Sequence, residues 1–368
     1  VTKGWELSIG PPGAAPEQEL DDAATWRLVF RRSGNHEASV SIDGASAQAA
    51  LIDELVTDLT VRWAGGTLTR MRAGPTQDAG DADATHTDFS FADYRALLGR
   101  RIIWDSWTPL ARTGDPAAIL WALLDATQRE PGGGLHITRG TWPAMPAAAI
   151  VLEPGRTILD TAGILAGAAG GFDWDITPGP FSSVLSVWPG GRGRDTDLVL
   201  DVGGVTATFT RAVATDTFAN SVRVSGGQSS NGAAIAAVRR DAAGIAARPE
   251  GRWEYADSGS GLDSAAATAA AATASLATRQ LISPSWSGRL VDGSWTGPDQ
   301  LWLGDRVRWV CHTGRLHTDV MLPVEEIAVT GGADTATPAI EITVGAPRPG
   351  RGQRPAALDK RLATLEQR

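Results

Sequence analysis

Cysteine is almost absent: Cys311 stands alone in 368 residues. That excludes an internal disulfide framework and any cysteine-rich zinc site. Lysine is nearly as scarce, with only Lys3 and Lys360, so arginine carries the positive charge. Together with abundant alanine and glycine, that usage is the mark of GC-rich coding. Tyrosine occurs twice against fourteen tryptophans, and large rigid aromatics suit cores and interfaces alike. No apolar run approaches the ~18 residues of a membrane-spanning helix, so no membrane span is expected. The stretch VTKGWELSIG has no apolar centre of the signal-peptide kind, and no secretion signal is expected there. Positive charge is also in deficit. A net charge of −9 argues against sequence-specific or general nucleic-acid binding.

The chain does hold enough apolar material to fold, at 42% hydrophobic and 20% charged residues. At ~100–200 residues per domain, two or three domains are expected. The charge is uneven. Residues 348–368 carry Arg348, Arg351, Arg354, Lys360, Arg361 and Arg368 against only Asp359 and Glu366. A basic tail on an acidic body fits either a specific acidic neighbour or a solvated linker.

Hydrophobic patterning divides the chain into four. Residues 1–112 read as mainly β, with WELSIG, TWRLVFRR and HEASVSIDG as strands and QAALIDELV as a short helix. DLTVRWAGGTLTRMRAG predicts a hairpin turning at Gly65-Gly66, and PTQDAGDADATHTD a polar loop. In HTDFSFADYRALLGRRII, Thr87, Phe89 and Phe91 alternate with polar residues, which is a half-buried strand. Asp93 can then cap a helix whose inner face is Tyr94, Leu97 and Leu98, with Arg100 and Arg101 at its end. Residues 113–195 read as a small α+β unit. Asp115 with Pro116 starts one helix, TILDTAGILAGAAGG makes a second that stops at Gly170-Gly171, and FDWDIT and SSVLSVWPG are strands. Residues 196–347 return to β, interrupted by an Ala-rich helix near 263–280. Residues 348–368 form a basic linker and a last helix with Leu358, Leu362 and Leu365 on one heptad stripe. A helix that short is marginal alone, so a partner or further copies of the chain are expected to hold it. The fold class is therefore mainly β (α+β), with short strands at the spacing of barrels or sandwiches.

Catalytic patterns are sparse. There is no GxSxG elbow, and GGRGRD lacks the Lys-Ser/Thr of a phosphate loop and reads as a turn. If Gly314-Arg315 is a two-residue turn, His312 lies opposite His317, with Asp319 on the same face. Those residue types can bind a metal, or form a polar cross-strand pair. FDWDIT places Asp173 and Asp175 on one strand face. Paired carboxylates serve glycosidases, but alternation with Phe172, Trp174 and Ile176 also makes them the wet face of the strand. DAGDADATHTD lacks the ligand order of an EF-hand. No dense polar constellation emerges; no cofactor and no enzymatic activity are expected.

The segment DFSFADYRALLGRRII resembles one found in tail hub, or baseplate hub (minor tail), proteins of long-tailed phages, of the actinobacterial siphophage type. There a barrel strand runs into an Asp-Tyr-x-x-Leu-Leu-x-Arg-Arg helix, matched here by Asp93, Tyr94, Leu97, Leu98, Arg100 and Arg101. DLTVRWAGGTLTRMRAG is similar to the preceding hairpin and TDTFANSVRVSGG to the opening of a second barrel. LWLGDRVRW, LPVEEIAVTG and ITVG resemble its closing strands. The resemblance implies two β-barrel domains, 1–112 and 196–347, around an α+β insert at 113–195. It implies a homotrimer at the phage tail tip whose six barrels close the tail tube and adapt sixfold to threefold symmetry. The implied partners are the distal tail protein and tail tube, the tape measure protein, and a downstream tail-tip or fibre protein bound through the C-terminal helix. An acidic body would suit a channel that DNA traverses without sticking.

Two other readings stay open. The tryptophan count fits a carbohydrate-binding β module, which needs an exposed tryptophan platform. Asp173 and Asp175 fit a glycan-degrading tail enzyme.

Overall fold

Alternating apolar positions fold as strands, and the chain is mainly β. A computed structural model describes residues 4–345 except 22, 81–84, 168–170, 180–181, 214, 216–217, 229–231, 259–263, 281–283, 334 and 336. The stripe of Leu358, Leu362 and Leu365 lies outside the described residues. The described residues form two compact units, one within 4–210 and 287–344 and the other within 211–286.

The first unit is built on a thirteen-stranded sheet. Part of its order is Trp5–Gly10, Asp58–Trp63, Gly66–Gly80, Thr85–Asp93, Glu37–Asp43, Ala23–Arg31, Leu316–Gly332 and Ala339–Gly345. Strands from both expected barrel segments are thus hydrogen-bonded to one another, through Ala23–Arg31 against Leu316–Gly332. The 17-residue strand Leu316–Gly332 does double duty. Its first half pairs with Arg306–Thr313 and its second half with Ala23–Arg31 and Ala339–Gly345. The register slips between Val324 and Glu326, and such a bulge re-aims a side chain, here that of Glu325.

Three local expectations need correction. Trp63 pairs with Gly66, so the hairpin turns at Ala64-Gly65. Their φ values of 47° and 81° give the type I′ geometry that matches strand twist. Most of PTQDAGDADATHTD is strand, because Gly66–Gly80 runs on through it and pairs with Thr85–Asp93. Ladder hydrogen bonds outweigh its polar composition. QAALIDELV yields only a 3₁₀ turn, Ala49–Leu51. Leu51, Leu55 and Val56 stay exposed, so no apolar face is buried to hold a longer helix.

One end of the sheet encloses an aromatic core. Trp5 is 1% exposed, and its ring lies 5.1 Å from Trp63, 6.0 Å from Trp26 and Trp295, and 6.2 Å from Phe30. Such tilted and offset contacts add roughly 0.5–1.5 kcal/mol each beyond burial.

A second core forms around helices Tyr94–Leu98 (α1), Pro116–Arg129 (α2) and Ile158–Ala166 (α3). Asp93, Asp115 and Thr157 cap them through side-chain oxygens. α3 ends at Gly167, before the Gly170-Gly171 pair. Tyr94, Leu98 and Ile103 share this core with Leu120, Leu124, Ile158, Trp174 and Leu185. α1 therefore belongs to the core of the insert although it follows directly on a strand of the sheet, and residues on both sides of position 112 pack together.

In the second unit, Ser221–Gln228 is flanked by Ala234–Arg240 and Glu254–Ser258, with the short helix Ala242–Ala246 (α4) between these outer strands in sequence. Helix Ala265–Arg279 (α5), capped by Ser264, packs on this sheet. Its alanines allow close approach, and Ala272 is fully buried with Val222 and Val224.

Candidate functional site

Four stretches of the first unit converge on a cluster of buried charge. They are the end of strand Ala23–Arg31 and the turn after it, the end of strand Thr85–Asp93 with the start of α1, the strand Phe172–Pro178 with the GGRGRD turn, and the bulge at Glu325. Asp175 is the centre. Its Oδ2 accepts from His36 Nε2 at 3.2 Å and from an Arg192 guanidinium nitrogen at 2.8 Å, and its Oδ1 accepts from the Ile176 amide at 2.8 Å. His36 Nδ1 accepts the Arg31 amide at 3.1 Å, which fixes the ring proton that faces Asp175 on Nε2. The His36 amide donates to Asp93 Oδ2 at 2.9 Å, while Asp93 Oδ1 accepts from Ala96 in α1. Asp173 Oδ2 accepts from Arg32 Nε and from the Arg192 amide, both at 2.7 Å. Arg32 reaches on to Glu325 at 3.0 Å. Arg95 donates to the Trp174 carbonyl at 3.2 Å and sits over the Trp174 ring at 4.4 Å.

Backbone geometry delivers Arg192 to this cluster. Gly193 and Gly304 have φ of +102° and +86°, and a Cβ on Gly193 would lie 2.0 Å from the Gly304 carbonyl carbon. The two chains touch main chain to main chain, and the Arg194 carbonyl accepts from the Arg306 amide at 2.8 Å.

Burial raises the Asp175 carboxyl, but the hydrogen bond from His36 and the charges of Arg95 and Arg192 outweigh it and hold the group far below the usual carboxylate range. Asp93 moves the other way, because burial dominates. Glu325 is likewise raised by burial, against the pull of Arg32.

The expectation that Asp173 and Asp175 form a wet strand face is overturned: Asp175 is 3% exposed, and both carboxylates are committed to cations. A depressed, buried carboxylate does not supply the general acid of a glycosidase. Among the described residues His36, Asp93 and Asp175 are the one group with three metal-type ligand atoms within 4.8 Å. Their oxygens already accept protein N–H groups, and Arg192 stands in the place of a cation, so the residues do not fit a metal. The cluster is a structural junction. Sequence reasoning identified Asp93 and Asp175 but missed His36, Arg32, Arg192 and Glu325, which meet across 32 to 325 in the chain. The only local signal is a pair of charges inside the apolar strand FDWDIT, which requires buried partners.

The remaining motif residues fall as follows. Tyr94 and Leu98 are buried and Leu97 packs on the same core. The Tyr94 hydroxyl donates to Asp58 at 2.5 Å, and burial with the Asp58 charge pushes it up. Arg100 is exposed and Arg101 half-buried. His312 and His317 are directly opposite, but Asp319 is bound by Arg308 through two bonds of 2.7 and 2.6 Å. Trp5, with Trp295 stacked on it and Trp26 tilted against it, belongs with them to the core rather than to a platform.

Solved structures of tail proteins share this arrangement. Over 93% of this chain and 97% of the other, it superposes on the tail protein from Neisseria meningitidis MC58 with a TM-score of 0.64 at 14% identity. The 43 kDa tail protein of prophage MuSo2 from Shewanella oneidensis gives 0.63 at 13%, over 92% and 97%. The fold is shared with phage tail proteins. Prophage tail protein gp18 from Listeria monocytogenes EGD-e gives 0.55 at 13%, over 99% and 100%. No family model and no curated protein matches the sequence. Among the described residues no helix is long and apolar enough to cross a membrane.

Proposed function

We propose that this chain is a virion structural protein of the phage tail tip, a baseplate hub that assembles as a homotrimer and turns over no substrate. The observation that carries the proposal is the end-to-end likeness to three phage tail proteins, which leaves almost none of either chain unmatched. The two halves of the large sheet, joined along Ala23–Arg31 and Leu316–Gly332, are the two barrels of this reading. Three chains then present six barrels to a sixfold tail tube and threefold symmetry on the other side. The buried ionic junction suits that task, since it ties the insert and both sheet halves into one stiff block.

In this assignment the distal tail protein and tail tube bind the six-barrel ring, and the tape measure protein ends on it. A downstream tail-tip or fibre protein docks on the helix bearing Leu358, Leu362 and Leu365. Asp93, Tyr94, Leu97, Leu98, Arg100 and Arg101 act structurally, as the clamp between sheet and insert. The test is the mass in solution by light scattering across a concentration series, alone and with the distal tail protein. A species of three times 38.4 kDa is expected, and replacing Leu358, Leu362 and Leu365 together by alanine is expected to shift it toward the monomer. A monomer under every condition contradicts the trimeric hub.

A further inference from the structure

The hairpin formed by Arg306–Thr313 and the start of Leu316–Gly332 carries a feature that the hub reading does not use. Thr313 pairs with Leu316 and His312 with His317, so the turn is Gly314-Arg315, with Gly314 at φ 59°. Side chains of a directly opposed pair project to the same sheet face. Both imidazoles are exposed, and their centroids are 5.9 Å apart with planes at 42°. A tetrahedral ion with nitrogen ligands at about 2.0–2.1 Å holds two imidazole centroids about 5 Å apart. Small side-chain rotations close that gap, and the ladder beneath holds the two Cβ atoms in place. Asp319 lies two residues beyond His317 on the same face, opposite Val310. In this state it is held by Arg308.

We infer that His312 and His317 form a surface clamp for a divalent transition-metal ion of the zinc class. The two imidazoles are the resident ligands, and water fills the open positions. Asp319 is the third protein ligand, exchanging Arg308 for the ion. Zinc and nickel suit such nitrogen-rich, partly open sites. Nothing in the buried junction around His36 takes part.

The experiment is calorimetric titration of the untagged, chelator-treated full chain with zinc chloride. One ion per chain is expected. His312→Ala and His317→Ala are each expected to weaken binding by at least about tenfold, while His86→Ala, at an exposed histidine elsewhere, leaves it unchanged. Arg308→Ala is expected to tighten binding, because it frees Asp319 and removes a competing cation. All four sites are exposed, so unchanged melting temperatures serve as the folding control. Zinc binding that is absent up to about 1 mM, or equally strong in both clamp variants, overturns the assignment.

Discussion

At the scale of single residues the junction rests on Asp175. It is buried, triply hydrogen-bonded and opposed by Arg192. Removing one partner of a buried pair leaves an uncompensated charge and costs about 3–5 kcal/mol. Asp175→Asn is therefore expected to lower unfolding free energy by that order in urea titrations at neutral pH. The sign of its pH dependence follows from linkage. The folded carboxyl lies far below its unfolded value of about 3.9, so its stabilisation is complete above about pH 4 and declines as pH falls further. Asp93 and Glu325 act oppositely, since burial raises them; their contribution is complete at low pH and fades as pH rises through their folded values. The gap between wild type and Asp175→Asn is expected to narrow steadily below pH 4 in thermal melts. A gap that stays constant from pH 7 to pH 3 contradicts the ion-pair description.

At the scale of elements, the contact between Gly193 and Gly304 decides where Arg192 sits. Alanine at either position meets backbone within 2.3 Å and must hold a positive φ. Each substitution is expected to destabilise by more than about 1 kcal/mol, and the double variant by less than the sum, because one separation relieves both clashes. Denaturant midpoints of the two single variants and the double variant check this. The helices α1, α2 and α3 were legible because their caps are local: Asp93, Asp115 and Thr157 each stand three or fewer residues from the amides they accept. The hairpin at Ala64-Gly65 was legible to within one residue. What composition hid was long-range. PTQDAGDADATHTD looks like loop until its partner strand is known. Asp175 looks wet until Arg192, His36 and the core helices close over it. The pairing of Ala23–Arg31 with Leu316–Gly332 joins residues about 300 apart, and no local pattern announces it.

At the scale of the whole molecule, the likeness to phage tail proteins covers 93% and 99% of this chain in two of the superpositions, and within the first unit the buried junction ties the insert to the large sheet. Leu98→Ala, at the point where α1 enters the insert core, is expected to cost about 2–5 kcal/mol. It is expected to lower the cooperativity of unfolding of the first unit, visible as separated transitions by tryptophan fluorescence and circular dichroism. The central claim concerns position and copy number. A cryo-electron microscopy reconstruction of the intact particle carrying this chain tests it most directly. The account predicts three copies around the tail axis at the distal end of the tube, each contributing two barrel-like lobes to a six-lobed ring. A single copy off the axis, or a ring of six chains, contradicts it.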